Sequence, residues 1–257
     1  MEMKKWLLAA TLAATAVTGV AQAKDWKVVR FGIEGAYPPF SKTEADGSLS
    51  GFDVDMANAL CAEMKVECKL VAQDWDGIIP SLLSRKYDAI IAAMSITEER
   101  KKKIDFTGKY ALIPNKFIAK KDAALDFSNL DGVKIGVQRA TTHDKYLTDN
   151  FKNVEVVRYG SFDEAYLDLG NGRVAAVLGD ASALEEGVLN QQGGEAYEFV
   201  GPSLTDPKWF GDGFGIAVRK QDKDLTKTLD AAILSLREKG IYQEIQAKYF
   251  DYDVYGD

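Results

Sequence analysis

Two charged residues far apart in the chain, Arg100 and Asp180, have positions suited to ligand chemistry. Arg100 follows the point where an apolar strand ends and a helix begins, and its planar guanidinium can donate two parallel hydrogen bonds to a carboxylate. Asp180 follows the apolar stretch 175–178, and a carboxylate at a strand end suits an ammonium group. Arg100 could equally be a surface side chain beside two glutamates, and Asp180 an N-cap for a helix predicted at 181–188.

The two cysteines, Cys61 and Cys68, flank a short loop between a predicted helix and the next predicted strand. A disulfide is favoured if the chain is exported, because close cysteine pairs oxidise outside the cytoplasm. The alternative is a metal pair, but two thiolates and the single histidine of the chain give too few ligands for a tetrahedral site. We therefore expect a disulfide, with no metal and no cofactor.

Alternating strands and helices must position these residues, and the first half of the chain has that pattern. Apolar runs predict strands at 27–32, 68–72 and 88–93, and helical periodicity predicts helices at 52–64 and 75–84 between them. Strand-helix-strand alternation is typical of a parallel, doubly wound sheet.

The same alternation starts again in the second half of the chain. Strands are predicted at 134–137, 154–159 and 175–178, with helices at 142–150 and 161–171. This restart predicts a second α/β unit rather than a continuation of the first.

Two apolar segments, 106–119 and 213–218, are expected to connect the units as extended crossings. Such crossings would form a hinge that allows the units to close over a ligand; one continuous sheet is the alternative. The final segment, 224–249, is predicted to be an amphipathic helix. The predicted fold is therefore α/β with two lobes, each an α/β sandwich, joined by a two-strand hinge.

Residues 1–23 have the pattern of a secretory signal peptide. Two lysines precede the uncharged apolar run 6–20, and a small-x-small cleavage site follows at 21–23. The alternative is a membrane anchor, but the run is shorter than the ~20 residues that a span requires. We therefore expect export and a soluble mature chain.

The net charge of −7 argues against a nucleic-acid partner, as does the lack of any basic cluster with interleaved aromatic residues. An acidic protein attracts a cationic ligand through its mean field. Hydrophobic residues make up 46% of the chain, which is enough to build a core.

Five segments carry motifs whose order and spacing together are specific: 34–40 (EGAYPPF), 51–55 (GFDVD), 75–82 (WDGIIPSL), 88–100 (DAIIAAMSITEER) and 248–257 (KYFDYDVYGD). Together they resemble the polar amino-acid family of periplasmic binding proteins of ABC importers, closest to the lysine/arginine/ornithine- and histidine-binding proteins. The resemblance covers essentially the whole chain after the signal. The Cys61–Cys68 pair also matches a disulfide of that subgroup.

The resemblance implies a monomeric periplasmic receptor that delivers an amino acid to a membrane permease. In the two-lobed periplasmic binding protein fold, the first lobe would comprise residues 24–113 and 211–257, and the second lobe residues 114–210.

The resemblance also implies roles at the amino-acid backbone. Arg100 would clamp the ligand carboxylate, and Asp180 would hold its α-ammonium group. The backbone N–H groups of Thr141 and Thr142 would reach the carboxylate from the second lobe, unless Thr142 only caps its helix. His143 is expected to border the side-chain pocket, although a lone histidine is more often structural.

Glu34, Tyr37 and Trp75 are expected to form the side-chain pocket. Glu34 matches the position where the cationic-amino-acid binders carry an acid, and would pair with the distal positive group. The two aromatic side chains would hold an aliphatic stem or guanidinium between their rings, a contact worth roughly 0.5–2 kcal/mol. Core packing of these rings is the alternative.

Ala92, Ala93 and Ser95 complete the expected site. Relatives that bind lysine and arginine commonly have serines where this chain has Ala92 and Ala93, and their usual aspartate is one methylene shorter than Glu34. An Ala-Ala-Met stretch also occurs in relatives that bind opines, which are arginine derivatives. The predicted ligand is arginine, lysine, ornithine or histidine, with an opine such as octopine or nopaline as the alternative.

A further alternative is an enzyme, because some dehydratases of the aromatic amino-acid pathway resemble these binding proteins. Such an enzyme needs an acid/base group over its substrate, and Glu34 or His143 could serve. The sequence contains no evident nucleophile–base pair or metal constellation. We therefore expect a binding protein without catalytic residues.

Overall fold

The computed structural model describes residues 25–256, so the predicted signal peptide lies outside the described residues. The strands, in chain order, are β1 Val28–Ile33, β2 Ala36–Tyr37, β3 Ser41–Thr43, β4 Leu49–Ser50, β5 Glu67–Ala72, β6 Ala89–Ile90, β7 Asp105–Ala111, β8 Asn115–Lys120, β9 Lys134–Gln138, β10 Glu155–Tyr159, β11 Ala176–Asp180, β12 Tyr197–Leu204 and β13 Phe214–Val218. The α-helices are α1 Phe52–Met64, α2 Trp75–Leu83, α3 Glu98–Lys101, α4 Thr142–Asn150, α5 Phe162–Gly170, α6 Ala181–Leu184, α7 Pro207–Phe210, α8 Lys223–Glu238 and α9 Ile241–Gln246. These elements form two α/β lobes, as predicted.

The first lobe contains a five-stranded sheet with the order β5-β1-β6-β13-β7. β1 pairs in parallel with β5 and β6, whereas β13 pairs antiparallel with β6 and β7. All five residues of β13 are buried, as expected for a central strand covered on both faces.

The second lobe contains a five-stranded sheet with the order β10-β9-β11-β8-β12. β9 pairs in parallel with β10 and β11, and β8 pairs antiparallel with β11 and β12. Both sheets therefore combine three parallel strands with antiparallel strands at one side. A small antiparallel sheet, β2-β3-β4, precedes α1.

The chain crosses between the sheets twice. It leaves the first sheet after β7 and enters the second at β8 through residues 112–114, so the predicted crossing 106–119 includes both strands and their link. The predicted second crossing, 213–218, differs from the structure, because β13 lies entirely within the first sheet. The return path is the preceding segment, 205–213.

Two predicted elements are shorter in the structure because the backbone turns within them. Of the predicted strand 88–93, the structure has Ala89–Ile90 as a strand, and Ala93 adopts a positive φ of 44°. The predicted helix 224–249 is two helices, α8 and α9, separated at Gly240, whose φ of 77° ends the first helix and begins the second.

The predicted disulfide between Cys61 and Cys68 is confirmed. Cys61 lies on the buried face of α1, and Cys68 lies in β5, with their Cα atoms 5.6 Å apart. The bond thus links the first helix to the edge strand of the first sheet.

Aromatic packing continues from one lobe to the other. The rings of Tyr37 in the first lobe and Phe162 in the second lie 5.1 Å apart between centroids, and both side chains belong to the same buried cluster. Within residues 25–256, no helix is long and apolar enough to cross a bilayer.

Candidate functional site

All ten residues predicted to bind ligand line one cavity between the lobes: Glu34, Tyr37, Trp75, Ala92, Ala93, Ser95, Arg100, Thr142, His143 and Asp180. Gln138, Thr141 and Phe162 line it as well. The cavity encloses about 20 Å³, little more than the roughly 10–15 Å³ that one water molecule requires. An amino acid can therefore enter only if the lobes or the lining side chains move apart.

The cavity lies where the carboxyl ends of strands from both sheets meet. Glu34 follows β1 and Ala92 follows β6, while Gln138 is the last residue of β9 and Asp180 the last of β11. This is the position at which open α/β sheets bind ligands. The spacing of the strands thus brings together residues more than 100 positions apart in the chain.

Arg100 is fixed in this cavity by two contacts. Its Nη1 donates to the backbone carbonyl of Ser95 at 2.9 Å, and its guanidinium lies 5.3 Å from the ring centroid of Trp75. Burial lowers the pKa of Arg100 to about 10, against the opposing effects of Asp180 and Glu99. The guanidinium therefore remains charged at neutral pH and has further N–H groups to offer an anion.

Asp180 faces Arg100 from the second lobe and accepts a hydrogen bond from the phenolic oxygen of Tyr37. Burial raises the pKa of Asp180 to about 7, and the Tyr37 hydrogen bond and the Arg100 charge oppose that rise. Although Asp180 immediately precedes α6, its side chain makes no capping hydrogen bond. The capping alternative is therefore wrong, and the carboxyl is directed to the cavity.

Glu34 marks a second acidic position in the cavity. Its Oε1 accepts from Nε2 of Gln138 at 2.5 Å, across the boundary between the lobes. Burial raises the pKa of Glu34 to about 7; Gln138 opposes the rise, and the nearby charges of Asp74, Asp163 and Asp76 add to it. A cation at this position would meet several negative groups at once.

The start of α4 contributes three consecutive residues. Thr141, rather than Thr142, caps the helix, because its Oγ1 accepts from the backbone N–H of Asp144 at 3.2 Å. The side chain of Thr142 is therefore not used for capping, contrary to the alternative considered for it. Its backbone lies at the positive end of the α4 dipole, which favours an anion.

His143 is almost fully buried and hydrogen-bonds through Nε2 to Oδ1 of Asn115 at 2.7 Å. The same nitrogen lies 3.8 Å from Asp180. Burial, and then the charge of Arg100, lower the pKa of His143 to about 3, so the imidazole is neutral at physiological pH. Within residues 25–256, Nδ1 has no hydrogen-bond partner.

The loop after β6 is held by the protein core. The backbone N–H of Ala93 donates to Oδ2 of Asp53 at 2.9 Å, so this group is already engaged within the protein. The carbonyl of Met94 accepts from Gly215 at 3.0 Å, and that of Ser95 accepts from Arg100. The loop is thereby fixed against β13 and α3 while Ala92, Ala93 and Ser95 line the cavity.

Two residues that line the cavity, Gln138 and Phe162, were not predicted from the sequence. Gln138 directly follows the predicted strand 134–137, and this strand-end position is the same signal that pointed to Asp180. Phe162 opens α5 behind Ser161 and packs on Tyr37; its apolar side chain gave no chemical signal. Within the described part of the chain, no group of acidic, histidine and cysteine residues could hold a metal ion.

The arrangement can bind a molecule that carries one anionic and two cationic groups. Arg100 and the start of α4 suit a carboxylate, Asp180 suits an ammonium group beside it, and Glu34 suits a second cation. A cationic amino acid has these three groups.

Comparison with known proteins gives a consistent result. The model of the bacterial extracellular solute-binding proteins, family 3, matches residues 29–252. An L-arginine-binding protein of Pseudomonas aeruginosa is 51% identical over 99% of both chains. The lysine/arginine/ornithine-binding periplasmic protein of Escherichia coli is 40% identical over 99% of this chain and 100% of its own.

Solved structures agree with these relatives. A periplasmic binding protein of Salmonella typhimurium, described for its high arginine specificity, superposes with a TM-score of 0.81 at 35% identity over 87% of this chain and 99% of its own. The two-lobed α/β fold predicted from the sequence is thereby confirmed. The chain belongs to family 3 of the bacterial extracellular solute-binding proteins.

Proposed function

We propose that this protein is the periplasmic substrate-binding component of an ABC importer, and that it binds a cationic amino acid between its two lobes. The observation that carries the proposal is the charge pattern of the cavity, with Arg100 facing Asp180 and a separate acidic position at Glu34. The names of the relatives, which refer to arginine, lysine, ornithine and histidine, support the same ligand class.

At the amino-acid backbone, Arg100 and the N–H groups at the start of α4 would hold the carboxylate. The α-ammonium group would replace the Tyr37 hydroxyl as the donor to Asp180. This exchange substitutes a charged donor for a neutral one, and charge-assisted hydrogen bonds are the stronger kind. The bound ligand would then connect the lobes through groups that already face each other.

At the other acidic position, Glu34 would pair with the distal cation. The surrounding carboxylates of Asp74, Asp76 and Asp163 act on Glu34 through space, and they would attract the same cation. Trp75 would cover the aliphatic stem with part of its ring, while its contact with Arg100 keeps the guanidinium in place.

We further propose that the lobes comprise residues 24–113 with 211–257, and residues 114–210, and turn about the links at 112–114 and 205–213. Closure of this kind would let a permease distinguish the loaded protein from the empty one. We expect a monomer that is exported by the signal at 1–23, and the periplasmic location of the relatives supports this placement.

The two alternatives make different demands on the cavity. An opine would require space beyond the amino-acid backbone, and a groove of about 890 Å³ begins beside Trp75, Arg100 and Thr142. A dehydratase would require an acid/base group; burial lowers the pKa of His143 to about 3, which makes its imidazole a weak base, and Glu34 remains for that role. We propose binding without catalysis.

Isothermal titration of the mature protein with a panel of ligands tests the proposal. We expect L-arginine, L-lysine, L-ornithine or L-histidine to bind with Kd at or below ~1 μM, about −8 kcal/mol. L-Citrulline has the shape of arginine without its charge, so it is the matched control and should bind at least tenfold more weakly. Preferential binding of citrulline or L-glutamate would contradict the proposal, and tighter binding of octopine or nopaline than of arginine would support the opine alternative.

A further inference from the structure

Gln138 is the buried polar residue of the cavity whose role the site chemistry leaves unexplained. It is the last residue of β9, is 2% exposed, and reaches across the cleft to Glu34. A buried amide between two lobes must satisfy its polar atoms, because an unpaired buried group costs about 1–3 kcal/mol. Its hydrogen bonds therefore define which of its atoms a ligand can use.

The orientation of the Gln138 amide follows from its partners. Nε2 donates to Oε1 of Glu34 at 2.5 Å and to the backbone carbonyl of Gly160 at 3.1 Å. A backbone carbonyl can only accept, so the NH₂ group must face this side, and both of its hydrogens are used. Oε1 is the atom that remains, and no donor among residues 25–256 bonds to it.

Gln138 thus does two things at the acidic end of the cavity. It holds one oxygen of the Glu34 carboxyl, which leaves the other for a ligand, and it adds a neutral acceptor beside that carboxyl. A guanidinium presents five N–H donors in a planar fork and can use both acceptors. A lysine ammonium is a compact charge that Glu34 alone can pair.

We propose that Gln138 is a specificity residue that favours a guanidinium over an ammonium group beside Glu34. The inference rests on the proposed function and narrows it from cationic amino acids to arginine. It concerns the ratio of two affinities, which a purely structural role of Gln138 would leave unchanged.

Titration of the mature protein with L-arginine and L-lysine tests this role in Gln138→Leu and Gln138→Asn. The leucine variant keeps the volume without the amide, and the asparagine variant keeps the amide one methylene too short to reach Glu34. In both, the Kd for arginine should rise about 10- to 100-fold, the range for losing a hydrogen bond to a charged group. The Kd for lysine should change less than about threefold.

Gln191→Leu is the matched control, because Gln191 lies exposed on the same lobe and donates only to a backbone carbonyl of its own segment; both affinities should stay unchanged. Thermal unfolding checks that each variant is folded. If both variants lost the same affinity for arginine as for lysine, the ratio of the two Kd values would be unchanged and the inference would be overturned. A wild-type protein that binds lysine as tightly as arginine overturns this inference alone, whereas one that binds neither, nor any other cationic amino acid, overturns the proposed function.

Discussion

Arg100 illustrates how a buried charge is kept ready for a ligand. Its guanidinium is desolvated, yet its contacts are a carbonyl oxygen and an aromatic face, together with the nearby carboxyl of Asp180. None of these contacts forms a bidentate pair. A ligand carboxylate would supply that pair, and charge pairs of this kind contribute most when they are buried and well aligned.

We expect Arg100→Ala to weaken binding of the preferred amino acid by about 2–5 kcal/mol, as measured by isothermal titration, because the ligand carboxylate would lose its charged partner in a buried site. Arg100→Lys should recover only part of this loss, since an ammonium cannot form the planar two-bond contact. Arg173→Ala is the control, because Arg173 is exposed and pairs with Asp168 away from the cavity. Unchanged affinity in Arg100→Ala would remove the residue from the site.

The acids Glu34 and Asp180 make binding depend on pH. Both have a pKa raised to about 7, chiefly by burial, and a ligand cation stabilises the ionised form of each. Binding below pH 7 must therefore release protons, so affinity should be highest above pH 7 and fall as the pH drops. For each proton released on binding, the Kd rises by about tenfold for every unit by which the pH falls below 7. Titration in buffers of different ionisation enthalpy counts the protons.

In Glu34→Gln, the count of protons released at pH 6 should fall by one. The stability of the ligand-free protein depends on pH in the opposite direction to its affinity for ligand. A carboxyl whose pKa is raised on folding stabilises the ligand-free protein below its unfolded pKa near 4, and this contribution is lost as the pH rises through 7. The free energy of unfolding should therefore depend less on pH between 4 and 7 in Glu34→Gln. Binding without proton release at pH 6 would show that both carboxyls are already ionised.

At the scale of elements, the loop between β6 and α3 carries residues that line the cavity and is held in place by hydrogen bonds to other parts of the first lobe. Ala93 has a positive φ, which is unfavourable for a residue with a side chain. Its N–H donates to Oδ2 of Asp53 and to the hydroxyl of Tyr110, and that hydroxyl donates to Oδ1 of Asp53 at 2.8 Å. The buried carboxyl at the start of α1 thereby holds the loop that carries Ala92 and Ser95.

We expect Asp53→Ala to destabilise the protein by about 1–3 kcal/mol, because it removes one of the two acceptors of the buried Ala93 N–H and the acceptor of the Tyr110 hydroxyl. Binding of the preferred amino acid should weaken as well, because the loop carries cavity-lining residues. Asp53→Asn should be milder, since its amide can accept from Ala93 and donate to Tyr110. Urea unfolding and titration measure the two effects.

Asp55→Ala is the matched control on the same helix. Asp55 is partly exposed, pairs with Lys248 and accepts from the hydroxyl of Tyr249, and ion pairs near the surface contribute roughly 0–1 kcal/mol. If Asp53→Ala lost stability but bound ligand normally, the loop would not need this support for binding.

The elements show what the sequence can and cannot predict. Apolar runs located the long strands, because their burial leaves a local pattern. The turn at Ala93 was missed, since alanine does not signal a positive φ in the way glycine does. The bond from Gln138 to Glu34 joins residues 104 positions apart in different lobes, and no local pattern reports such a contact. Arg100 and Asp180 were found because their charges and strand-end positions are local properties.

At the scale of the whole molecule, polar contacts of two kinds join the lobes across the cleft, in addition to the packing of Tyr37 on Phe162. Deep in the cleft, neutral donors of Tyr37 and Gln138 bond to buried carboxyls, and a ligand would replace or share these bonds. At the mouth, Arg139 of the second lobe pairs with Asp76 of the first at 3.1 Å, and both side chains are about half exposed. A ligand would act on the inner contacts, whereas the outer pair lies beyond the lining of the cavity.

The ion pair between Arg139 and Asp76 should slow the release of ligand slightly, and added salt should weaken this effect. Exposed ion pairs contribute about 0.2–1 kcal/mol, so Arg139→Ala and Asp76→Ala should each speed dissociation of the preferred amino acid by up to about fivefold, as followed by stopped-flow fluorescence.

Because both residues also lie near Glu34 or its acidic neighbours, each single variant changes the charge around the ligand as well as removing the ion pair. A double-mutant cycle separates the contribution of the ion pair from that change in charge. The double variant should dissociate more slowly than the two single effects combined predict, and this coupling should vanish at about 1 M salt, where the Debye length is ~3 Å. Strictly additive effects at low salt would mean that the two side chains do not hold the lobes together.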